Sequence, residues 1–78
     1  MKIPRDVSGA RLADLLCRKW QYERVHQVGS HIILETAQPT HRIAIPDHHH
    51  LRLGTFSSIR RAVAQHKGVQ RDEIIADL

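Results

Sequence analysis

From Trp20 to Pro46 this 78-residue chain abandons helical spacing for alternation, and the alternation is broken twice. A period of two is the signature of half-buried strands. Trp20 to Gln27, β-branched and aromatic in part, ends at Val28-Gly29-Ser30, which reads as a hairpin turn. His31 to Thr36 is the next strand, with Ile32 and Leu34 on one face and His31, Ile33 and Glu35 on the other. Ala37-Gln38-Pro39-Thr40 breaks it, and His41 to Ile45 forms a third strand that Pro46 ends. Neighbouring strands with matched alternation make a sheet with one buried face.

Helical patterns flank the strands. Leu12, Leu15 and Leu16 share a helix face behind Ser8, a suitable cap, with Val7 placed to staple against Leu12. Arg18 and Lys19 fall in the last turn, where positive charge complements the carbonyl end of the helix. After the loop Asp47 to Leu53, Thr55 reads as the cap of a second helix with the stripe Phe56, Ile59, Ala62 and Val63, closed by Gly68. Arg71 to Asp77 adds a short final turn. The expected fold class is α+β, in the order α-β-β-β-α: a three-stranded antiparallel sheet with the helices on one face, built as one domain over residues 1–78.

Composition narrows the function. One cysteine, Cys17, permits no internal disulfide. No apolar run reaches the roughly 18 residues a membrane helix needs, and Met1 to Arg5 lacks a signal-peptide core, so a cytoplasmic location is expected. Residues 1–71 carry twelve basic groups against five acidic ones, a net of +7. Such a body attracts polyanions, and its binding should weaken with salt.

Few residues carry evident chemistry. His48-His49-His50 invites a metal, but consecutive histidines rarely converge on one ion and no Cys-x-x-Cys or His-Glu-x-x-His accompanies them; no metal or cofactor is expected. Cys17 lacks a recognisable activating base and suits the edge of the first helix's apolar stripe. Trp20, Tyr22 and Phe56 do not recur as a base-stacking platform, and Trp20 reads as core. The carboxylates are scattered. What remains is His31, at a strand's first residue beside a Gly-Ser turn, in a basic field. That position suits an imidazole acting on a phosphodiester.

Leu12, Leu15 and Leu16, then Trp20, then Gly29-Ser30-His31, then Ile43-Ala44-Ile45-Pro46 with Asp47-His48, and finally Gly54-Thr55-x-x-x-Ile59 occur in an order that resembles the HicA (YcfA-like) family. These are small RNase toxins of type II toxin–antitoxin pairs, and the likeness covers nearly the whole chain. It implies a double-stranded-RNA-binding-domain-like fold, His31 as the catalytic residue, metal-independent cleavage of mRNA, and inhibition by a cognate HicB-type antitoxin. Lys19 before the aromatic, the histidine run, the longer second helix and the last ten residues depart from the family pattern; Gly29-Ser30-His31 does not. On this reading His31 takes the proton of a ribose 2′-hydroxyl, Ser30 assists at the phosphate, and Arg24, Arg42, Arg60, Arg61 and Lys67 hold the RNA backbone from a basic outer surface. The group that protonates the leaving oxygen is left open between His26, His48 and a lysine. The alternative is a basic RNA-binding module of the same fold without catalysis.

Overall fold

In the computed structural model, which describes residues 7–37 and 40–76, the elements follow the order α1 (Gly9–Lys19), β1 (Glu23–Val28), β2 (His31–Ala37), β3 (Thr40–Pro46), α2 (Leu53–Lys67) and α3 (Arg71–Ile74). The three strands form one antiparallel sheet in the order β1-β2-β3. The fold is thus α+β of the α-β-β-β-α kind. The Gln38-Pro39 break and Asp77 lie outside the described residues. Among the described residues, no helix is long and apolar enough to cross a membrane.

Each element starts for a local reason. Ser8 caps α1 by accepting the Arg11 amide at 3.0 Å, which satisfies one of the donors a helix start leaves open. Leu12, Leu15 and Leu16 then fall on one buried face, joined in the core by Val7. The chain leaves α1 through Gln21, whose φ of 60° is unusual for a residue with a side chain. Here the amides of Trp20 and Tyr22 both return to the Leu16 carbonyl. Trp20 is only partly buried and packs on the margin of the core.

The sheet buries one face. Ile32, Leu34 and Thr36 of β2, with Ile45 of β3, are buried beneath the helices. His31 is exposed, and Ile33 and Glu35 are only partly covered on the opposite, open face. The alternation expected of β2 is therefore observed. β1 differs: all six of its residues are exposed.

The second helix departs from expectation at its start. It begins at Leu53 behind Arg52, without a side-chain cap, so Thr55 lies inside the first turn. Gly68 closes it with φ 70° and donates its amide to the Ala64 carbonyl, a left-handed stop that glycine adopts at little cost. α3 carries a reciprocal cap in which the Gln70 amide donates to the Glu73 carboxylate at 2.8 Å. Its Ile74 and the following Ile75 are buried. By packing back on α2, α3 covers part of the surface that the sequence pattern leaves exposed.

Candidate functional site

The sheet's register draws three separate segments together at the head of β2. His31 pairs with Val28 across one edge and with Pro46 across the other. Gly29, at φ 57°, and Ser30 make the turn into it, a backbone conformation for which glycine is the natural residue. The Asp47 amide donates to the Ser30 carbonyl at 2.6 Å. Gln27 Nε2 donates to the Gly29 carbonyl at 3.1 Å and to Asp47 Oδ2 at 3.2 Å. The turn before His31 and the segment after Pro46 are thus tied by one backbone bond and one bridging side chain.

α1 docks on the same corner. The Gly9 amide donates to the His48 carbonyl at 2.9 Å, and the Leu51 amide to the Val7 carbonyl at 2.9 Å. A Cβ on Gly9 would overlap the Pro46 carbonyl, so only glycine permits this approach. Gly9 and Gln27 carry no reading in the sequence beyond their elements. A glycine in the first turn, where a stronger helix former is usual, was the available signal.

The open face at this end holds two histidines. In the register, Arg24 pairs with Leu34 but His26 pairs with Ile33, so Val25 is an extra residue, a β-bulge. Cross-strand partners share a face; His26, opposite Ile33 and two residues before Val28 in the same register, therefore lies on the face of His31, flanked by Val28 and Ile33. Beyond the bulge the faces swap: Arg24 turns toward the helices, where unbroken pairing would leave it on the open face. Nothing in the residues around Val25 announces this shift.

The basic residues do not form one surface. Arg42 lies on the open face and pairs with Glu35 at 3.2 Å, its register partner. Arg24 sits on the helix side beside Cys17, whose thiol burial pushes up despite the opposing charge of Arg24. Arg60 is a correction: it is 7% exposed, and its guanidinium approaches Asp72 of α3 at 3.8 Å. Arg60 points inward because α3 returns over α2, so it is no part of a basic outer surface. Lys67 is half-buried at the end of α2, where Nζ donates to Thr36 Oγ1 at 3.1 Å and lies 5.0 Å from the centre of the Tyr22 ring. Arg61 is exposed as expected.

That far end of the sheet has its own polar cluster. The Tyr22 hydroxyl and His41 Nδ1 are 2.9 Å apart, and the His41 ring stacks on His66 at 4.1 Å. Burial first, then the neighbouring His66 and Lys67, hold His41 below its ordinary pKa, while burial raises the Tyr22 hydroxyl. In the tautomer of neutral His41 that carries its proton on Nε2, the Tyr22 hydroxyl donates to Nδ1. A cleft of about 330 Å³ lined by Tyr22, Thr36, Glu23, Glu35 and their neighbours opens here, at the opposite end of the sheet from His31. The two acidic side chains on its wall make it a poor seat for a polyanion.

His48, His49 and His50 are exposed in the loop after β3. Among the described residues no group of three or more histidine, cysteine or carboxylate side chains is arranged to hold a metal ion. Compared with known proteins, the chain matches no protein-family profile, no curated protein and no solved structure at a significant level.

Proposed function

We propose that this chain is a HicA-like toxin: an endoribonuclease that cuts mRNA without a metal, uses His31 as its base and is silenced by a HicB-type antitoxin. The observation that carries the reading is the pairing of His31 with Pro46. Gly29-Ser30-His31 and Pro46-Asp47-His48 belong to two of the ordered pieces that carry the resemblance, and they are separate in sequence. The register and the Asp47–Ser30 bond make them one corner of the molecule. The α-β-β-β-α order also agrees with the family's fold.

The chemistry follows from an accessible imidazole on a rigid strand. RNA lies across the open face with a scissile phosphate over the head of β2. His31 removes the proton from the ribose 2′-hydroxyl, and the oxygen attacks the adjacent phosphorus, displacing the 5′-oxygen. General-base assistance of this kind contributes about 10²–10⁴-fold. Ser30, which is exposed, donates its hydroxyl to a non-bridging oxygen as charge builds there. Arg24 and Arg61, with the net +4 of the whole chain, favour the approach of RNA from solution. The products are a 2′,3′-cyclic phosphate and a 5′-hydroxyl.

A nuclease of this kind requires restraint inside its own cell. A HicB-type partner that covers the open face around His31 would supply it. The test is induced expression of wild type and His31→Ala, each alone and with the candidate antitoxin. Growth arrest with mRNA loss is expected for wild type alone, and stoichiometric partner should abolish it. Arrest by His31→Ala to the same degree would overturn the assignment of His31.

A further inference from the structure

The nuclease reading leaves the leaving 5′-oxygen without a proton donor, and the open face supplies one. We infer that His26 is the general acid, working opposite His31; the inference rests on the proposed nuclease activity. Its basis is the hairpin register, which puts His26 opposite Ile33, two residues from the Val28–His31 pair, and so on the same face as His31. His31 is opposite Val28, one side chain further along that face of β1. Diagonal neighbours of this kind have Cβ atoms about 7 Å apart. Two imidazoles at that spacing can reach the attacking and departing oxygens, which lie on opposite sides of phosphorus in an in-line displacement.

Among the described residues the other donors are less well placed. Lys19 ends α1 and Lys67 ends α2; both belong to the far end of the sheet, away from His31. His41 and His66 stack together at that same end, on the helix side. The arginines hold their protons too tightly to donate them. His48 lies near the corner, but beyond Pro46 in the loop whose carbonyl is bound by Gly9, not on the face of the sheet. His26 is exposed, with small or apolar neighbours in Val28, Ile33 and Ala44, so a phosphodiester can approach it.

The step balances without a co-reactant. The bond from the 2′-oxygen to phosphorus forms and the bond from phosphorus to the 5′-oxygen breaks. His31 receives the 2′-hydroxyl proton, and protonated His26 gives its proton to the 5′-oxygen. Solvent then restores both histidines.

The experiment compares two substrates: an ordinary RNA dinucleotide, and the same dinucleotide with sulfur in place of the bridging 5′-oxygen, whose thiolate departs without protonation. Purified wild type, His26→Ala, His26→Gln, His31→Ala and His48→Ala are assayed on both, with thermal melts to establish folding. The His26 variants should lose about 10²-fold on ordinary RNA and recover most of that loss on the sulfur substrate. His31→Ala should be slow on both. Equal behaviour of the His26 variants on the two substrates, or rescue by sulfur in His48→Ala instead, would overturn the assignment. If wild type cuts neither substrate, the nuclease reading itself falls and His26 falls with it.

Discussion

The Asp47 amide donates to the Ser30 carbonyl at 2.6 Å, and Gln27 clasps both sides of that contact. The turn that presents His31 is therefore held from β1 and from the segment after β3 at once. Gln27→Ala should change global stability by less than about 1 kcal/mol, since the lost bonds are exposed. It should nonetheless speed exchange of the Asp47 amide several-fold, because the local opening is easier. Hydrogen exchange followed by NMR checks this; unaltered exchange at Asp47 would show that Gln27 does not brace the turn.

Gly9→Ala reaches the same corner from α1. The added methyl meets the Pro46 carbonyl, and backbone on both sides resists moving. A loss of about 1–3 kcal/mol is expected, even though alanine is the better helix former. Urea unfolding measures the loss, and a midpoint equal to or above wild type would contradict the close approach.

Acid should weaken the fold through His41. Burial, His66 and Lys67 keep its folded pKa below the ordinary 6.5, so the unfolded chain binds a proton that the folded chain resists. Stability is then full above about pH 7 and falls as pH drops through the unfolded value toward the lower folded one. The groups facing His41 are Tyr22, His66 and Lys67. Thermal melts at about pH 7.5 and pH 5 should differ, and His41→Gln should shrink the difference. An equal difference in the variant would place the acid sensitivity elsewhere.

Arg60 and Arg61 are neighbours in sequence with opposite expected behaviour. Arg61 is exposed, so Arg61→Ala should leave melting unchanged and slow RNA association at low salt only modestly, through the loss of one long-range charge. Arg60 is buried against α3, and Arg60→Ala should destabilise the protein by about 1–3 kcal/mol through lost packing and an orphaned contact. Melting curves and association rates at low salt on both variants separate the two roles. Equal effects on RNA association would mean that both face the ligand.

Local rules made much of the fold legible. Ser8 as a cap, the leucine face of α1, the alternation of β2 and the Gly68 stop each depend on a few adjacent residues. What escaped depends on contacts far along the chain. Thr55 resembles a cap, but the loop from β3 turns into α2 at Arg52. Arg60 follows helical spacing onto a polar face, yet α3 folds over it. At the site, His31 at the head of β2 was readable from the Gly29-Ser30 break. The side taken by Arg24 was not, because the bulge at Val25 is a mismatch between two strands and β1 carries only half of it.

The most direct test of the account is cleavage of a defined RNA by purified wild type and His31→Ala in EDTA, with product ends identified by mass spectrometry. An all-RNA strand and one bearing a 2′-deoxy residue at the cut position are compared. Wild type alone should cut the RNA, leave a 2′,3′-cyclic phosphate and spare the deoxy site, with His31→Ala slower by at least about 10²-fold. Cleavage at the deoxy site, or equal cleavage by His31→Ala, would contradict the account.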